Sequence, residues 1–337
     1  MKKLLIFVLL TPFFWACKGN KESSEFFKRG NFHFKKNELD KAEHFFSEAI
    51  KKTPDFADAY NNRGVVYLKV GRTDEALKDF EKAVSLDDSF VDAKLNLGRL
   101  YSEMGKTTEA ENLFKSIEKK LEKSSDFFNF YGQNFVRQNH FLEAEQMLNK
   151  SLSLNPKNID ALANISYLKT VTNQSEEARA FLAKAQALDK ENAVVMNNLA
   201  VLDGKERNFE SAEKNLLLAE NKEVNNIIYL NNLALFYFEN DKYFLGKEKL
   251  EKALKIDDKN PYTLRNLGIK AYMDKDFDKA MGFFTKVEKS NPEVDYIYYY
   301  IGRTLLAMGK SKEACANFKI GAKLNDSWSK KYSDNCR

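Results

Sequence analysis

With 337 residues, 43% of them hydrophobic and 31% charged, the chain has room for two or three ordinary domains or one long array, and its composition is that of a soluble protein. The formal charge of +5 comes from 54 Lys and Arg against 49 Asp and Glu interspersed along the chain, which excludes the basic stripe of a nucleic-acid binder. Five prolines and no Ser, Gly or Gln tract exclude a long disordered linker.

The chain opens MKKLLIFVLLTPFFWACKGN, with Lys2 and Lys3 ahead of an apolar run from Leu4 to Ala16 that is too short to span a bilayer. A secretory signal is predicted over residues 1–16. The run closes on Ala16 and Cys17 and so resembles a bacterial lipoprotein signal, in which the cut follows Ala16 and Cys17 receives the lipid. The residues also allow an ordinary signal peptide, cleaved nearby or retained. Residues 17–22 are expected to form a short linker.

From Ser23 to Trp328 the sequence repeats every 34 residues. One track holds only small side chains: Gly30, Gly64, Gly98, Gly132, Ser166, Ala200, Ala234, Gly268 and Gly302. A second, 12 residues further on, runs from Ala42 through Ala76 to Ala314 and is broken only by Gly246. A third is large and apolar throughout: Phe46, Phe80, Phe114, Leu148, Leu182, Leu216, Leu250, Phe284 and Phe318. Each repeat reads as two amphipathic helices, with Asn37, Gly71, Gly105, Asn139, Asn173 and Gly309 at left-handed turns between them. Asp or Thr is expected to cap the second helix. Gly64 is expected to face Ala76 where the two helices cross. Asp203 departs from the pattern by replacing an aromatic residue.

These tracks resemble the tetratricopeptide repeat family, whose repeat length is 34. The resemblance implies an all-α fold: a right-handed superhelix of nine helix pairs over residues 23–328, with first helices lining the concave face and a short capping helix at 329–337. Family members with related lipoprotein signals serve envelope assembly. That implies a lipid-anchored adaptor of the bacterial outer membrane, holding a protein or peptide segment on its concave face. A self-associating envelope spacer is the alternative.

No catalytic constellation accompanies the repeats. His33, His44 and His140 occupy different repeat positions without Cys or carboxylates at metal-ligand spacing, and no P-loop, GxSxG, HExxH or dinucleotide fingerprint occurs. An enzyme is not expected, nor a cofactor, metal, nucleic-acid partner or small-molecule substrate.

The candidate site is a face of the first helices. Repeat position 6 carries Asn62, Asn96, Asn164, Asn198, Asn232 and Asn266, whose carboxamides could grip a peptide backbone. Position 2 changes from Asp58, Asp92, Asp126 and Asp160 to Val194, Ile228, Tyr262 and Tyr296. Position 9 turns apolar with Val201, Leu235 and Ile269, and Tyr299 and Tyr300 crowd the last repeat. The expectation is an open apolar docking surface over repeats six to nine. Finally, the chain reverses near Asp326, 11 residues after Cys315 and 10 before Cys336, so antiparallel packing predicts a disulfide between those two cysteines.

Overall fold

The computed structural model describes the backbone of residues 11–336 and the side chains of residues 21–336. Residues 1–10 of the expected signal segment and the side chain of Cys17 lie outside the described residues, whereas the backbone of residues 11–22, expected to end the signal and form a short linker, is helical and continuous with the first repeat. The chain divides into two compact units between Leu154 and Asn155. The first contains α1 (Thr11–Lys35), α2 (Leu39–Lys52), α3 (Ala57–Lys69), α4 (Thr73–Leu86), α5 (Val91–Glu103), α6 (Thr107–Ile117), α7 (Ser125–Arg137) and α8 (Phe141–Leu154). A single 3-10 turn, Glu118–Leu121, follows α6. The second contains α9 (Ile159–Val171), α10 (Ser175–Leu188), α11 (Ala193–Lys205), α12 (Phe209–Lys222), α13 (Ile227–Glu239), α14 (Tyr243–Ile256), α15 (Pro261–Met273), α16 (Phe277–Ser290), α17 (Ile297–Ala307), α18 (Ser311–Lys323) and α19 (Ser327–Ser333). Every described element is helical, and none is long and apolar enough to cross a membrane.

The small-residue track makes room for a ring. A Cβ placed on Gly64 would lie 2.7 Å from Phe80 Cε1, so the neighbour is the third track and not Ala76. Gly30, Gly98, Gly268 and Gly302 stand in the same relation to Phe46, Phe114, Phe284 and Phe318, at 2.4–2.8 Å. Where the first track holds Ser166, Ala200 or Ala234, the third holds the smaller Leu182, Leu216 or Leu250. Size is therefore traded within these eight helix pairs, which keeps close packing, while the fourth departs from the trade by setting Gly132 against Leu148, whose Cγ would lie 2.8 Å from an added Cβ.

The turns between paired helices are left-handed in every repeat. Asn37, Gly71, Gly105, Asn139, Asn173 and Gly309 adopt positive φ as their residue types suggest, and so do Arg207, Asp241 and Lys275 at the equivalent sites, with φ of 63°, 55° and 62°. A Cβ residue in this conformation is strained by roughly 1–2 kcal/mol, and glycine relieves it at some cost in chain entropy. Lys275, which is exposed, tests the point: Lys275→Gly should raise stability by about 0.5–1 kcal/mol in urea unfolding. No gain would show the turn to be unstrained.

Caps fall elsewhere than expected. Among the described second helices, Asn208 and Asp276 cap through their side chains, whereas Glu38, Arg72, Lys106, Gln174, Lys242 and Lys310 do not. The consistent caps are on first helices. Ser124, Asn158, Asn192, Asn226 and Asn260, spaced by 34, each accept a backbone N–H from the first turn. Asp203, in place of an aromatic residue, is buried and accepts from Arg179, Ser211 and Asn215.

Candidate functional site

The position-6 asparagines knit first helices together. Asn96 Nδ2 donates to Asn61 Oδ1 at 2.9 Å, Asn232 Nδ2 to Asn197 Oδ1 at 2.9 Å, and Asn266 Nδ2 to both the carbonyl and the side chain of Asn231. Asn198 Nδ2 reaches the carbonyl of Ala163 at 2.9 Å. Each of these bonds spans 35 residues, from position 6 of one repeat to position 5 of the repeat before it. Asn62 instead reaches Asn31 at 2.8 Å. The ladder thus orients first helices side by side and commits part of each of these amides to the fold. Asn198 and Asn266 are buried by it, while Asn62, Asn96, Asn164 and Asn232 stay partly accessible.

In the second unit the expected apolar surface is not open. Leu235 and Ile269 are each 2% exposed and Tyr299 and Tyr300 each 1%. They belong to one core with Phe236, Phe284, Phe318 and Trp328. The cause is that α17, α19 and the segment before α17 fold into the face formed by α11, α13 and α15. Helix α17 starts only at Ile297, and Tyr296, expected on the helical face, is its N-cap in left-handed conformation. Buried Arg265 holds this segment by donating to the Asp295 carbonyl at 3.1 Å and to Asn266 Oδ1. Ile228 and Tyr262, at the starts of α13 and α15, remain exposed.

A polar clasp closes the arrangement. Glu239, at the end of α13, has a side chain 4% exposed. It accepts from Tyr300 Oη at 2.8 Å, Arg303 Nη1 at 3.2 Å and Arg207 Nη2 at 3.0 Å, and so joins three repeats. Burial, followed by the neighbouring Glu239 charge, holds the Tyr300 phenol well above its ordinary pKa, so it is a donor at any working pH. Sequence reasoning missed the clasp. Its one visible trace is Arg207 at a turn site where most other repeats carry Gly or Asn.

The first unit presents the same face differently. Asn62, Val65, Leu95, Asn96, Arg99, Phe130 and Gln133 are partly accessible, and Asp58, Leu68 and Asp92 are exposed. The Arg99 guanidinium lies 3.9 Å from the Phe130 ring centroid, a cation–π pair on this face. At the other end of the chain, Cys315 on α18 and Cys336 beyond α19 form a disulfide, with Cα atoms 5.6 Å apart. Among the described residues, no three His, Cys, Asp or Glu side chains are placed to hold a metal ion.

Comparison with known proteins locates the family signal in the first unit. Residues 57–90 and 91–116 match family models described as tetratricopeptide repeat, and residues 30–71 one described as TPR repeat. No curated protein sequence matches the chain significantly. Among solved structures, the crystal structure of the APC/C hetero-tetramer Cut9–Hcn1 is similar over 93% of this chain and 76% of its own, with 13% identity and a TM-score of 0.59. A thermophilic TPR protein of Thermus thermophilus is similar over 51% of this chain and 94% of its own, at 17% identity and a TM-score of 0.48. YrrB, a TPR protein with an unusual peptide-binding site, is similar over 55% and 95%, at 23% identity and a TM-score of 0.38. The first of these likenesses is one of fold.

Proposed function

The chain is a tetratricopeptide-repeat protein, a stack of helix pairs suited to protein–protein interaction, and from that premise we propose that it is an adaptor whose first unit holds a protein segment on the face of α3, α5 and α7. The observation that carries this reading is the contrast between the two units. The face is filled by the chain itself in the second, whereas in the first it offers accessible apolar, amide and guanidinium groups together. Asn62 and Asn96 each retain an amide N–H beyond the one used in the ladder, and that second donor can meet a peptide carbonyl.

We further propose that Cys17 carries a lipid and tethers the adaptor to the bacterial outer membrane. Lys2, Lys3 and the apolar run ending at Ala16 support this, and so does cysteine parity, since the other two of three cysteines pair with each other. A disulfide also fits an oxidising compartment outside the cytosol.

Two measurements test the reading. A photoreactive residue at position 65 should crosslink one defined protein in whole cells, and Arg99→Ala combined with Phe130→Ala should cut its recovery by about tenfold or more, as expected for loss of hot-spot contacts. Tyr299→Ala should affect folding of the second unit and leave recovery per folded molecule unchanged. Equal recovery with and without Arg99 and Phe130 would remove the site from this face. Cys17→Ser should leave the membrane fraction; retention there would defeat the anchor.

A further inference from the structure

Helix α11 ends in a carbonyl that its own chain neighbours do not satisfy. The Lys205 oxygen accepts from Trp328 Nε1 at 3.2 Å and from Ser327 Oγ at 3.5 Å, across 123 and 122 residues. Around that bond the indole is held on several sides. Tyr296 stacks on it with ring centroids 3.8 Å apart, Tyr299 and Phe209 meet it edge-on at 5.4 and 5.9 Å, and the Arg207 guanidinium lies 5.0 Å from its centroid. Trp328 is 3% exposed. This is how an aromatic anchor sits in a recognition pocket: a flat ring sandwiched, its N–H spent on a helix-end acceptor.

The segment that supplies the anchor depends on its contacts, Ser329 being buried against Gly321 and Tyr332 stacking on Phe318 with ring centroids 4.8 Å apart. Helix α19 is seven residues long, too short to persist without its contacts. It is fixed at one end by the turn from Gly321 to Asp326 and at the other by the disulfide from Cys336 back to Cys315. Both cysteines are partly solvent-accessible.

We propose that α19 is an intramolecular ligand of the second unit, that the Cys315–Cys336 bond latches it, and that the vacated seat takes a partner segment presenting an indole with a free N–H. Opening requires a dithiol reductant. Its thiolate attacks one sulfur of the pair, and the mixed disulfide resolves to the reductant's own disulfide and two protein thiols, a transfer of two electrons and two protons. While latched, α19 competes with any partner at the effective concentration of a tether closed at both ends. Closing a loop of about 20 residues constrains it by a factor on the order of a hundred in the chain-entropy model, so unlatching raises partner affinity by up to that factor. This site is independent of the first unit's face.

The probe is a synthetic peptide with the sequence of residues 325–335, titrated against the full chain. It should bind the dithiol-reduced chain, and a Cys315→Ser/Cys336→Ser variant, at least tenfold more tightly than the oxidised chain, and a peptide with Ala in place of the tryptophan should not bind. Equal binding to oxidised and reduced chains would overturn the latch. Loss of helical ellipticity in the reduced chain or the double-serine variant would make α19 part of the fold and overturn the proposal. Concentration-dependent dimerisation of the reduced chain without peptide binding would assign the seat to a second copy and overturn the separate partner.

Discussion

Replacing Glu239 by Ala should destabilise the second unit by about 2–4 kcal/mol, measured by urea unfolding followed through far-UV ellipticity. The carboxylate is almost wholly buried and is the common acceptor for Tyr300, Arg303 and Arg207. Its loss leaves the Tyr300 hydroxyl, on a residue 1% exposed, with no acceptor from water. The two arginine side chains are 43% and 29% exposed and can recover part of their solvation, which keeps the cost below that of a fully buried ion pair broken on one side. Glu239→Gln retains an acceptor oxygen and should cost about half as much. Because the clasp joins α13 to α17, the Ala variant should also speed amide exchange in both helices while α9 and α10 are unaffected. A change below about 0.5 kcal/mol, within the range of ordinary surface substitutions, would mean that the clasp does not hold the unit closed.

Much of this was legible in the sequence, for a physical reason. A period of 34 puts the same side chain at the same crossing in every repeat, so helix pairs, turns and the small-residue track could be read from spacing alone. The left-handed turns at Arg207 and Lys275 were not visible, because their residue types do not prefer that conformation and only the tertiary frame imposes it, whereas Asp241 is of a type that enters it more readily. The polar-to-apolar switch at Leu235, Ile269, Tyr299 and Tyr300 was visible, but its meaning was not. A helical face that is apolar and outside its own pair's core reads as open surface when each helix is judged with its neighbours alone. What covers it arrives from 61 residues away, where Tyr300 meets Glu239, and from 123 residues away, where Trp328 meets Lys205. Position 6 has a role in the fold that spacing alone did not show. The asparagines suggested a ligand's backbone, and their first partner is the preceding repeat.

The trade in size between the first and third tracks gives the last expected result, a double-mutant cycle at Gly64 and Phe80. Gly64→Ala places a methyl group 2.7 Å from Phe80 Cε1 and 2.9 Å from Cδ1, well inside contact distance. The Phe80 side chain is fully buried and its ring has nowhere to retreat without displacing Tyr67, Leu97 or Leu100 of the same cluster. Overpacking of this kind costs about 1–3 kcal/mol, against which the better helix propensity of alanine returns only about 1 kcal/mol. Phe80→Leu alone leaves a void beside the glycine and should cost about 1–2 kcal/mol. Together the two substitutions recreate the pairs Ala200 with Leu216 and Ala234 with Leu250, which the second unit already packs with all four side chains buried. The double variant should therefore lie within about 1 kcal/mol of the parent, giving a favourable coupling of about 1–3 kcal/mol between the two sites. Additive losses would show that glycine is held at Gly64 by some neighbour other than the ring, and the size trade would then be coincidence.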